Sequence, residues 1–137
     1  MFPICNRGFD ERLARENSYY GAGIYLSSDP RVADEWTVKN KNISNPHLNR
    51  NIILSWVQMG RPFRPGMGVS AFPNEARYRC KGHAPPEHDS IIADWLTKEQ
   101  TKEQTYVVFR GDQVVPYFVI TYNLKPELSA DPFRPDP

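Results

Sequence analysis

Four aromatic side chains crowd one short stretch of the sequence: Tyr19, Tyr20 and Tyr25 around a glycine pair, Gly21 and Gly23, and Trp36 a little further on. Rings this close in sequence serve either as core or as the walls of a slot for a flat ring, and sequence periodicity does not separate the two uses. The glycines are explained by a plain tight turn as readily as by a ligand. A dinucleotide-binding loop of the Rossmann type is rejected. YGAGIY lacks the third glycine and the following helix, and it enters a strand instead of leaving one. A second cluster, Cys80, His83 and His88 in CKGHAPPEH, has metal-ligand chemistry, with Cys5 available as a fourth donor. Its spacing is not the regular pairing of zinc modules, so a solvated loop is favoured and no metal is expected. The acceptor pattern NIS at Asn42 carries no weight without an export signal.

The elements that must position these residues are mostly short. Thirteen prolines punctuate the chain and exclude long helices. A helix is expected over 30–38, with Asp29 as its cap and Pro30 in the first helical position. Residues 10–16 are expected to make another turn, anchored by Leu13. Five segments rich in β-branched and aromatic residues read as strands: GIYLS (23–27), NIILSWVQM (51–59), SIIAD (90–94), TYVVFRG (105–111) and YFVITYNL (117–124). The Gly111-Asp112 turn is expected to join the last two as neighbours. Residues 61–89 are too rich in Pro and Gly for regular structure over most of their length, and a compact domain seldom keeps such a loop unused. The domain is expected over 1–124, with a frayed Pro-rich tail over 125–137 and no internal repeat.

Composition removes several function classes. The chain has 137 residues, enough for one domain, and 39% hydrophobic against 24% charged residues, which is too apolar for a disordered chain. A net charge of +1 gives no one-signed field to recruit a nucleic-acid backbone or an acidic membrane. The longest apolar stretch, IILSWVQMG from Ile52, is far short of the roughly 20 residues that span a bilayer. The first residues have neither signal-peptide nor transit-peptide character, and two cysteines fit a reducing compartment, so an intracellular protein of cytoplasm or nucleus is expected.

The order of the motifs resembles the poly(ADP-ribose) polymerase-type (diphtheria-toxin-like) ADP-ribosyltransferase catalytic domain. GF at Gly8, YGAGIYL at Tyr20, a strand near Ile52 followed by Gly60, HDSII at His88 and TYVVFRGDQVVPYFVITY at Thr105 follow the family's sequence of features over about residues 4 to 122. GIYL matches the family's tyrosine strand through Tyr25, and Tyr106, Gln113, Pro116 and Ile120 follow the pattern of its late strand pair. The resemblance implies an α+β fold of two small, mainly antiparallel sheets with few short helices, and a cleft for NAD as substrate, without a metal. Tyr25 and Trp36 would hold the nicotinamide between them, with Tyr20, Gly21 and Gly23 shaping that cofactor site. A cationic ring between electron-rich faces gains about 0.5 to 2 kcal/mol beyond burial.

Three departures from the family bear on catalysis. No His precedes Gly8, so the family's His-Gly strand is not represented. The resemblance therefore implies a domain lacking its first strand, completed by an upstream segment or by self-association. Thr105 stands where the family has its catalytic glutamate. A hydroxyl holds a ribose hydroxyl but is no base near neutral pH, which argues against polymer growth. Glu103, two residues earlier, faces the same side of an extended strand and offers a substitute carboxylate, but exposed acidic residues before a strand are usually solvated and that reading is favoured. Ala33 replaces a serine that bonds the nicotinamide amide in the family, a loss of about 1 kcal/mol.

The resulting expectation is an NAD-dependent mono-ADP-ribosyltransferase with Tyr25 and Thr105 as its catalytic residues. It would move ADP-ribose to a protein or nucleic-acid acceptor and release nicotinamide. The alternative is a catalytically inactive relative serving as an interaction module.

Overall fold

A computed structural model describes residues 3–15, 18–41, 49–65, 82–96 and 102–123. The chain opens with a short helix α1 (Pro3–Arg7) and a 3-10 turn (Glu11–Leu13). Asp10 caps that turn by accepting the Arg12 N–H at 3.1 Å. Leu13 is 81% exposed, so it does not anchor the turn as its apolar character predicted. Strand β1 (Ile24–Ser27) then leads through Ser28 and Asp29 into helix α2 (Pro30–Lys41). The Asp29 carboxylate accepts the Arg31 N–H at 2.8 Å, which is the expected cap with proline at the first position. The helix continues three residues past the predicted end.

Strands β2 (Arg50–Val57), β3 (Pro62–Phe63), β4 (Ser90–Leu96), β5 (Lys102–Val108) and β6 (Val114–Tyr122) complete the fold. They form a four-stranded sheet in the order β1-β5-β4-β3 and a two-stranded sheet of β2 and β6. All pairings are antiparallel except β3 with β4, so the fold class is α+β with two small, mostly antiparallel sheets. The two-residue strand β3 lies at the start of the stretch expected to be irregular. Much of that stretch, Cys80 included, is outside the described residues, as are Asn42 and the tail after Asn123.

A second expectation fails. The segments now seen as β5 and β6 are not neighbours: β5 pairs with β1 and β4, whereas β6 pairs with β2 in the other sheet. A two-residue hairpin of the favoured type needs positive φ angles. Neither Gly111 nor Asp112 has one; both belong to a right-handed 3-10 turn (Gly111–Gln113) that carries the chain from one sheet to the next.

Gln113 makes that crossover specific. It is buried, and its Oε1 accepts the N–H groups of Phe109 (3.3 Å) and Arg110 (3.2 Å). Its Nε2 donates to the carbonyls of Gln58 and Asp89, both at 3.2 Å, and its own carbonyl accepts the Gln58 N–H at 2.8 Å. One amide thus joins the exit of β2, the approach to β4 and the end of β5, with each of its polar atoms used.

The core divides across β5, whose Val107 and Val108 are both 0% exposed. On one side Ile24, Val108 and Val114 pack with Phe9, Leu26, Val57 and Met59, joining the two sheets. On the other side Tyr20, Ile91, Ala93, Val107 and Phe109 pack with Tyr25, Phe63 and Ala84. A strand buried on both faces reads as a continuous apolar run, as VVF does here. Helix α2 is tied to the second sheet by a polar cluster. Asp34 pairs with Arg50 Nη1 at 2.6 Å and accepts the Tyr122 hydroxyl, and Arg50 and Tyr122 are register partners at one end of the β2–β6 ladder. Burial opposes ionisation of Asp34, but hydrogen bonds from Tyr122 and Arg50 outweigh it and hold the carboxyl below its ordinary range. Tyr122 is pushed up to about 12, chiefly by burial and then by the Asp34 carboxylate.

Candidate functional site

The glycine-bounded loop before β1 is closed by its own tyrosine. The Tyr25 hydroxyl accepts the Tyr20 N–H at 2.7 Å and donates to the Gly21 carbonyl at 3.0 Å. Gly21 has φ +85°, in the region that favours glycine. Gly23 is required by packing: a Cβ there would lie 2.6 Å from Val107 Cγ1 and 3.0 Å from the Val108 carbonyl oxygen. The two glycines therefore have the turn-and-contact roles available to them without a ligand. Tyr20 is 4% exposed and belongs to the core with Ile91 and Phe109.

Ladder register brings two of the proposed catalytic positions together. Tyr25 lies opposite Val107, and Thr105 lies opposite Ser27 and Ala93. Tyr25 and Thr105 are thus diagonal neighbours on one face of the sheet, a relation that separates Cα atoms by about 7 to 8 Å. Glu103, opposite Trp95, is the next residue of β5 on that same face. Trp36 is on α2, 51% exposed, two residues beyond the Asp34 cluster, and Ala33 donates its N–H to the Asp29 carbonyl in the first turn.

A surface cavity of about 660 Å³ opens where β1 hands over to α2 and meets the ends of β4 and β5. Ser28, Asp29, Arg31, Asp94, Glu103 and Gln104 line it with Pro30. Asp29 is held below the usual carboxylate range by hydrogen bonds from the Arg31 side chain and N–H. Across the sheet a hydrogen-bonded chain runs from the Tyr106 hydroxyl to Gln104 Oε1 (2.8 Å) and from Gln104 Nε2 to Asp94 Oδ1 (2.7 Å). The cavity thus combines carboxylates with an oriented amide, groups that accept from or donate to hydroxyls and can stabilise a developing positive charge. Sequence reasoning missed Asp94 and Gln104, because no spacing links them and only the β4–β5 register makes them partners.

A second cavity of about 520 Å³ lies between the Gly8-Phe9 segment and the crossover turn, lined by Arg7, Glu11, Arg110 and Pro116 among others. There the Glu11 carboxylate accepts the Gly111 N–H at 2.9 Å. Among the described residues no group of three His, Cys, Asp or Glu is placed to hold a metal ion. The rings of His83 and His88 lie against the carbonyls of Ala84 and Pro86, and Cys5 is an exposed free thiol. No described helix is long and apolar enough to cross a membrane. No family model matches the chain.

Proposed function

We propose that the protein is an NAD-dependent mono-ADP-ribosyltransferase with the ADP-ribosyltransferase-like fold that its motif order resembles, acting inside the cell on a protein or nucleic-acid acceptor. The observation that carries this reading is the shared face of Tyr25, Thr105 and Glu103, which ends at the cavity beside the first turn of α2. The Tyr25 hydroxyl is bound by two backbone groups, so the loop itself sets the plane of the ring. A ring held in this way is ready to stack without losing much rotamer freedom.

In this reading Tyr25 and Trp36 bind the cationic nicotinamide, and Thr105 donates to or accepts from a ribose hydroxyl. Breaking the bond between ribose C1′ and the nicotinamide nitrogen sends the electron pair to the departing ring, which leaves neutral while positive charge grows on the ribose. Glu103 supplies the carboxylate that stabilises this charge. An acceptor oxygen or nitrogen then bonds to C1′ and releases its proton to solvent. Thr105 in place of a carboxylate supports single transfer over chain growth.

Titration calorimetry with NAD and with benzamide tests the site. NAD binding weakened about 2- to 30-fold by Tyr25→Ala and by Trp36→Ala is the expected result, the range given by a cation–π contribution of about 0.5 to 2 kcal/mol. Absence of heat with both ligands at millimolar concentration overturns the reading. It would then favour the interaction module, which draws its own support from the exposed apolar surface of β2 and β6.

A further inference from the structure

Two paired strands are marginal in water unless their apolar face is covered. The β2–β6 ladder buries one side, where Val57 lies opposite Val114 in the core that joins the sheets. Its other side presents Ile52 opposite Ile120, Leu54 opposite Phe118, and Trp56 opposite Val115. The register shifts between Leu54 and Ser55, and Tyr117 is the extra residue of that bulge. The outward side chains are far more exposed than such residues usually are: Leu54 49%, Trp56 68%, Val115 57%, Tyr117 57%, Phe118 57% and Ile120 49%. They form one contiguous patch, with Tyr117 edge-on to both Trp56 (centroids 5.8 Å apart) and Phe118 (4.5 Å).

The chemistry of the patch identifies its occupant. No Asp, Glu, Lys or Arg occurs from Asn51 to Val57 or from Val114 to Tyr122, and Arg50, which alternates onto this face at its far end, is buried and paired with Asp34, so the exposed patch itself carries no charge with which to select a complementary partner or an anionic lipid surface. At these exposures the six side chains leave on the order of 700 Å² in water. That exceeds the largest apolar patch of a typical monomer, about 300 to 600 Å², and approaches the roughly 800 Å² per partner of a stable interface. An uncharged aromatic surface of this size suits its own copy, because a two-fold contact sets the same apolar patch against itself with no like charges to repel. Pro116 interrupts the N–H row of β6 and the bulge twists that edge, so faces carry the contact and the β6 edge does not.

We propose that the protein is a homodimer whose two copies pack β2–β6 faces together through Leu54, Trp56, Tyr117 and Phe118 about a two-fold axis. This inference stands whether or not the protein binds NAD. Sedimentation over a range of concentrations tests it. The wild type is expected to sediment at twice the 15.8 kDa chain mass. Trp56→Glu is expected to raise the dissociation constant at least about 30-fold, as for a hot-spot residue. Tyr117→Lys, a change at the exposed bulge, repeats the test should Trp56→Glu fail to fold, and circular dichroism monitors folding in both. Leu13→Lys, at an exposed position remote in sequence, is expected to leave the dimer intact. A wild type that is monomeric throughout overturns the proposal and leaves the face to a different partner. So does a dimer that persists in the folded variants, or a species that grows without limit as concentration rises.

Discussion

Replacing Gln113 by alanine should loosen the whole molecule, because one side chain holds three separate segments. The amide accepts from two backbone N–H groups and donates to two carbonyls, at 3.2 to 3.3 Å. Each such bond contributes about 0.5 to 1.5 kcal/mol, and its long geometry places it toward the lower part of that range. Four together give about 2 to 4 kcal/mol for Gln113→Ala, a large share of the about 5 to 15 kcal/mol that stabilises a typical domain. For a chain of this length the melting temperature should fall by about 10 °C. Gln113→Glu sharpens the test. An ionised carboxylate still accepts from Phe109 and Arg110 but faces the carbonyls of Gln58 and Asp89 with no proton to donate. Burial raises the carboxyl pKa of this variant above its unfolded value, so the native state binds the extra proton and stability recovers as pH falls through that raised pKa. Urea unfolding followed by near-ultraviolet circular dichroism at several pH values measures both effects. A loss below about 1 kcal/mol for Gln113→Ala, or a Gln113→Glu variant with no recovery at lower pH, would refute the assignment of the crossover to this amide.

Gly23→Ala should destabilise the protein by about 1 to 3 kcal/mol, since the new methyl meets Val107, which is fully buried and has nowhere to move; chemical unfolding reads the change. The Asp34–Arg50–Tyr122 cluster should narrow the pH range of stability. Asp34 is depressed, so its contribution is present above about pH 4 and lost as pH falls through the lower folded value. Tyr122 is raised from 10.0 to about 12, so its contribution is complete below pH 10 and lost as pH rises toward 12. Urea midpoints measured against pH should show both flanks, and Asp34→Asn and Tyr122→Phe should flatten the acid and alkaline flanks respectively.

Local signals in the sequence translated well into local structure. Asp29 followed by Pro30 marked the start of α2 because capping is decided within three residues. The five long strands were legible because runs such as NIILSWV and TYVV combine β-branched and aromatic residues. What failed was partition. Nothing in GDQVV announces that β5 and β6 belong to different sheets, since that depends on Gln113 reaching Gln58 and Asp89, far away in sequence. Leu13 failed for a related reason: an apolar residue is an anchor only if another element covers it, and Leu13 is left 81% exposed. In the candidate site the Tyr25–Thr105–Glu103 face follows from strand alternation once the register is known, whereas the Asp94–Gln104–Tyr106 chain could not be found without that register.

The pairing of β1 with β5 joins an early segment, residues 24–27, to a late one, residues 105–108, and β5 is the strand on which both halves of the core converge. During synthesis the first strand therefore leaves the ribosome long before its mate exists. Nucleation has to wait for the late segments, loop closure is expensive, and a slow, non-local folding reaction is the expected result. For as long as that wait lasts, the nascent β1 has no partner strand, the condition in which unpaired strand edges are prone to aggregate.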